Sequence, residues 1–203
     1  MNQTDGTLAD LPLGELLAQF AAPTSAPGGG SAVALACALA AALVEMAAGF
    51  WDGRDGVAEA GEVAGRAAEL RGQAVDLAEI ELDSYPPVLE AMRLPASDEH
   101  REQRLREARS EASAAPRRLA GVGAELAELA ARVARTGSPH LVGDAVTAAL
   151  LAESACRGAA ELVEINLAGE PGDPRRQRAA ELAKAAASAR QDALATVSDG
   201  VRR

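Results

Sequence analysis

Residues 32–44 are an unbroken apolar run, and no other stretch restricts the possible folds of this chain so strongly. The run is made of Ala, Leu and Val with one Cys, and contains neither Gly nor Pro. Ala and Leu are strong helix formers, so the run predicts a helix that is apolar nearly all round and belongs in the middle of a bundle. Continued to residue 48, the stretch is long enough to raise the question of a membrane span. Against that reading stand its Ala content, the carboxylate of Glu45 and the lack of a second such run. Just before it lies Ala22-Pro23-Thr24-Ser25-Ala26-Pro27-Gly28-Gly29-Gly30-Ser31. The two prolines hold the approach extended, and Ser31 is expected to cap the helix. A helix start bare of side chains presents free N–H groups and the positive end of the helix dipole, as an anion site requires. The plainer alternative is a tight loop whose glycines only let two helices pack closely.

The length, 203 residues, suits one domain spanning 1–203. Aromatics make up only 2%, so the core must come from close helix packing rather than large rings. A formal charge of −10 argues against nucleic acid or an anionic membrane as partner, since both need clustered cations. Cys37 and Cys156 fall inside helical patterns and read as buried free thiols. Neither they nor the isolated His100 and His140 have metal-ligand spacing, so no metal is expected. The acidic N-terminal stretch lacks the basic region of a signal peptide, and a cytoplasmic location is expected.

Residues 8–21 read as a short amphipathic helix with Leu13, Leu16, Leu17 and Phe20 as core. A third helix, about 56–85, has a seam of Ala60, Val63, Ala67, Leu70, Ala74 and Leu77. Continuing the same alternating step reaches Glu81 and then Ser84, while Asp83 points about 120° away. Glu81 is thus a carboxylate where periodicity expects an apolar residue. Pro86-Pro87 should break the helix just beyond it and open room beside the acid. A fourth helix is expected over 97–136, with a charged first half and a bend at Pro116. Gly137 should close it, and the loop residue His140 reads as a polar surface residue.

A fifth helix, to about residue 167, places Asp144, Thr147, Leu151, Ala155, Leu162 and Asn166 on one stripe and Glu153, Arg157 and Glu164 on the other. Asp144 also complements the dipole at the helix start, and Arg157 reads as an ion-pair or interface residue. Asp144 and Asn166 lie about 33 Å apart along a straight helix, so they share a pocket only if a two-fold partner brings the opposite end across. A sixth helix follows the Asp173-Pro174 cap and carries no chemistry.

Several stretches resemble the cyclodeaminase/cyclohydrolase family, which includes the C-terminal domain of formiminotransferase-cyclodeaminase and stand-alone methenyltetrahydrofolate cyclohydrolases. They are Leu16-Leu17-Ala18-Gln19-Phe20, Pro27-Gly28-Gly29-Gly30-Ser31, Ala41-Ala42-Leu43-Val44-Glu45-Met46-Ala47, Glu81-Leu82-Asp83-Ser84-Tyr85, the Leu94-Pro95 ending, Gly137 with Asp144-Ala145, and Ile165-Asn166-Leu167. The periodicity gives an all-α bundle of about six helices, several of them long, and the resemblance implies that it is paired as a homodimer. The resemblance also implies an enzyme that hydrolyses 5,10-methenyltetrahydrofolate or cyclises 5-formiminotetrahydrofolate, with the folate as substrate and no permanently bound cofactor. Because a formiminotransferase domain is absent, the hydrolytic activity is the expected one.

Glu81 stands where the family has an Asp and becomes the first catalytic candidate, with Asp144 the second. Gly28, Gly29, Gly30 and Ser31, assisted by Arg54, would bind an anionic group such as the glutamate tail, and Asn166 would also contact substrate. Asp55, Ser138, His140, Gly143 and Leu162 depart from the family pattern. They support the rival reading of a diverged, non-catalytic folate-binding or structural dimer.

Overall fold

The computed structural model describes residues 7–51 and 57–201. Among the described residues the chain is all-α: a 3₁₀ turn at Leu8–Asp10, then α1 Leu13–Ala21, α2 Gly29–Gly49, α3 Val57–Ser84, α4 Pro86–Arg93, α5 Arg101–Ala112, α6 Ala114–Thr136, a second 3₁₀ turn at Pro139–Leu141, α7 Val142–Asn166 and α8 Pro174–Val201. Helix α2 packs on α3, α6 and α7, and α8 closes the bundle against α6 and α7.

The seam of α3 is buried as its spacing predicts: Ala60, Val63, Ala67, Leu70, Ala74 and Leu77 all face the core. Small residues then let the helices approach closely. A Cβ on Gly123 of α6 would stand 2.9 Å from Cys156 Cβ on α7, and one on Gly158 of α7 would stand 3.0 Å from Val33 Cγ2 on α2. Cys37 and Cys156 are free and buried, pointing at the α6 carbonyls of Leu119 and Ala120. Burial pushes both thiols up to about 12, so they act as small apolar groups at neutral pH. Arg66 of α3 holds Glu125 of α6 through two bonds, at 2.6 and 2.9 Å, a half-exposed pair that sets register more than stability.

Four expectations change. Helix α1 buries none of its residues; Leu13 and Leu17 are 69% and 59% exposed, because helical spacing reveals a stripe but not what covers it. Helix α2 is long and apolar enough to cross a membrane, yet it sits against three other helices. Its outer side is uncovered: Leu39 and Met46, together with Phe50 just past the helix end, lie within about 40° of one another on that side. An all-round apolar sequence carries no sign of which face is left open.

Pro86-Pro87 not only ends α3 but starts α4, since proline suits the first helical turn, where its missing N–H is not needed. The helix expected over 97–136 is two helices with Ser113 between them. Pro116 offers no N–H to the carbonyl four residues earlier, Ala112 O, and the ladder gives way there. Gly137 closes α6 as expected, its N–H donating to Val133 O at 2.8 Å, and Asp173 Oδ1 accepts the Arg175 N–H at 2.9 Å at the start of α8.

Candidate active site

The end of α3 delivers Glu81 to a cavity of about 300 Å³. The seam that buries Leu77 leaves the bundle one turn later, where α3 passes the bare start of α2. There the absence of a side chain makes the room. A Cβ on Gly30 would coincide with the Glu81 carboxylate, so the acid occupies the space that glycine vacates. Among the described residues nothing donates to Glu81 Oε1, which is sealed from solvent. Burial pushes the acid up from the ordinary carboxylate range to about 7. Glu81 is therefore shared between its protonated and ionised forms near neutral pH, as proton transfer in either direction requires.

Gly28, Gly29, Gly30 and Ser31 form one wall with Ser25. The first backbone bond of α2 runs from Ala32 N–H to Gly28 O at 3.1 Å, so the N–H groups of Gly29, Gly30 and Ser31 have no partner within the helix. Ser31 is not the cap the sequence suggests; Gly28 holds that position, with no side-chain bond. The Ser31 hydroxyl is buried and donates to Ala78 O of α3 at 3.0 Å, tying the two helices together one turn before Glu81. Ser84, Tyr85, Ala112, Pro116, Leu162, Ile165 and Asn166 complete the described lining.

Of the sequence-derived site residues, Glu81, Gly28, Gly29, Gly30, Ser31 and Asn166 meet at this one cavity. Asp144 lies in the first turn of α7, away from the cavity lining and at the opposite end from Asn166. Arg54, with its neighbour Asp55, lies outside the described residues. His140 is exposed, and Arg157 is exposed with no ion pair among the described residues.

Sequence reading missed Ala112, Ile165 and Pro116 as parts of the wall. The signal was available for one of them, because a helical proline names in advance the carbonyl it strands. Among the described residues Glu81 is the only charged side chain in the lining, and no group of three or more His, Cys, Asp or Glu could hold a metal ion.

The family model described as formiminotransferase-cyclodeaminase matches residues 12–188, from α1 well into α8. The chain belongs to the formiminotransferase-cyclodeaminase family. A methenyltetrahydrofolate cyclohydrolase of Methylorubrum extorquens is 30% identical over 156 residues, covering 73% of this chain and 74% of that protein. The crystal structure of a formiminotetrahydrofolate cyclodeaminase from Thermotoga maritima has the same fold, with a TM-score of 0.83 at 24% identity, over 96% of this chain and 99% of that one. Within the formiminotransferase-cyclodeaminase pattern, the departures at Ser138, His140 and Gly143 fall outside the described lining of the Glu81 cavity, whereas Leu162 and Glu81 itself, which stands for the family's Asp, line it.

Proposed function

We propose that this chain is a folate enzyme of one-carbon metabolism that hydrolyses 5,10-methenyltetrahydrofolate to 10-formyltetrahydrofolate, with Glu81 moving the protons. The observation that carries the reading is the half-buried Glu81, its Oε1 sealed and without a partner among the described residues, seated over Gly30 in a cavity whose described lining holds no other charged side chain. The methenyl bridge is a cationic amidinium carbon, and an ionised carboxylate beside it stabilises that charge while the substrate binds. A water then attacks the bridging carbon and Glu81 takes its proton. The bond from that carbon to N5 breaks as the proton is returned to N5, leaving the formyl group on N10. A second proton is released to solvent. A carboxyl poised near neutrality suits both transfers, and the chemistry calls for no resident metal or cofactor.

The amides of Gly29 and Gly30 offer donors to an oxygen of the substrate. Cyclisation of 5-formiminotetrahydrofolate with loss of ammonia would use the same acid, carrying a proton from N10 to the leaving nitrogen. The departures at Ser138, His140 and Gly143 lie away from the cavity, and the exchange of Asp for Glu81 keeps a carboxylate in it, which favours catalysis over a purely structural role. A second copy of the chain is the proposed cover for the apolar surface of Leu13 and Leu17 on α1 and of Leu39 and Phe50 at α2, and the assembly is placed in the cytoplasm.

Methenyltetrahydrofolate absorbs in the near ultraviolet, so its loss tests the proposal directly. The wild-type protein should exceed the spontaneous rate, and Glu81→Gln should lose turnover by a factor on the order of 10²–10⁴. Equal rates with and without protein, in the presence of measurable folate binding, would instead support the non-catalytic reading.

A further inference from the structure

The side chain of Asn166 points at a carbonyl that should not be available. Its Nδ2 donates to Ala112 O at 3.1 Å, across 54 residues, joining the last turn of α7 to the last residue of α5. In an uninterrupted helix that carbonyl would accept from the N–H of residue 116. Residue 116 is proline, so the position is vacant. The ladder runs as far as Ser113 N–H, which donates to Arg109 O at 3.0 Å, and resumes with Arg117 N–H, which donates to Ser113 O at 3.1 Å. Between them the Ser110 carbonyl takes the Ser113 hydroxyl at 2.6 Å, and the Ala112 carbonyl that Pro116 cannot reach takes Asn166. Ala112, Pro116 and Asn166 all border the cavity that holds Glu81.

A carbonyl can only accept, so the nitrogen end of the carboxamide is the end that faces Ala112. The oxygen end is then determined as well. Among the described residues nothing donates to Asn166 Oδ1. We infer that Pro116 is a positioning residue: by stranding the Ala112 carbonyl it anchors Nδ2 of Asn166 and so presents Oδ1 to the cavity as a fixed acceptor for an N–H of the ligand. This rests on the folate reading for the identity of the ligand, whose reduced pterin ring carries several N–H donors. The orientation of the amide does not depend on it. The arrangement also explains why an Asn at this place differs from an Asp or a Leu. A carboxamide can donate to the stranded carbonyl and still accept from a ligand, which neither an ionised Asp nor a Leu can do.

Two measurements decide the matter. In the unliganded protein, ¹⁵N–¹H spectra should show one Asn166 side-chain proton shifted downfield and slow to exchange. Pro116→Ala restores the helical N–H at 116, and that signature should collapse to a solvent-exposed value while the helix content is kept. In turnover, Pro116→Ala and Asn166→Ala should each raise KM for methenyltetrahydrofolate roughly tenfold, the value of one uncharged hydrogen bond, with kcat changed less than about twofold. The double variant should be no worse than the poorer single one, because both remove the same contact. Asn166→Asp should behave as Asn166→Ala.

A preserved amide signature in Pro116→Ala overturns the inference, as do KM increases that multiply in the double variant. A wild-type protein that shows no turnover refutes the hydrolytic reading while the amide spectra still judge the positioning.

Discussion

Gly30 and Gly123 both forbid a side chain, and for different reasons. At Gly123 the obstacle is main chain and core: a Cβ would lie 2.9 Å from the Cys156 backbone nitrogen and 3.0 Å from Ala152 O. Neither can retreat without separating α6 from α7. At Gly30 the obstacle is the far end of a flexible glutamate, which can retreat easily. The first glycine serves packing and the second serves a charged group, so a methyl group added at each should fail in opposite ways. What a glycine is for is read from its neighbour rather than from its own conformation, since neither has a positive φ.

The largest effect expected is on activity. Gly30→Ala should displace the Glu81 carboxyl toward solvent and lower kcat on the order of a hundredfold, the loss typical of a catalytic group moved by about 1 Å, with the melting temperature nearly unchanged. Gly123→Ala should do the reverse, costing about 1–3 kcal/mol as overpacking and lowering Tm by roughly 2–4 °C for each kcal/mol, while the folded fraction turns over normally. Calorimetry and the ultraviolet assay on the two variants separate them. A Gly30→Ala protein that melts early and keeps its kcat would break the contrast.

A smaller effect is expected one residue along. Ser31→Ala removes the bond to Ala78 O and should cost about 1 kcal/mol with little change in KM, because the hydroxyl is committed to α3. Smaller still is a pH slope. Glu81 is raised when folded, to about 7, so the native state holds its proton more tightly than the unfolded chain does. Its contribution is therefore most favourable below the ordinary carboxylate range and is lost as pH rises through about 7. Partial access to water keeps it modest. The difference in Tm between Glu81→Gln and wild type should widen in favour of the variant from pH 4.5 to 7, and a constant difference would count against a buried acid.

How far the sequence discloses this site follows from the kind of information each residue carries. The α3 seam was legible because its spacing repeats over many turns, and Glu81 was legible as the place where that repeat meets a charge. The bare start of α2 was legible from three consecutive glycines. That these two features touch was not, since periodicity orders residues along one helix and says nothing of its neighbour's rotation. The same gap hid the uncovered side of α2 and the exposed Leu13 and Leu17, which have core spacing without a core. Ser31 misled because a hydroxyl at a helix start has two uses, capping its own helix or bonding another. The bond between Asn166 and Ala112 joins residues 54 apart and needs the fold itself, although the vacancy left by Pro116 was written in the chain.

The central claim is that Gly30 exists to seat an acid away from water, and the most direct check is to titrate that acid. The carboxyl carbon of Glu81, followed by ¹³C NMR in wild type and in Gly30→Ala, should turn over near pH 7 in the first and well toward the ordinary carboxylate range in the second. A wild-type midpoint in the ordinary range, unmoved by the added methyl group, would contradict the account.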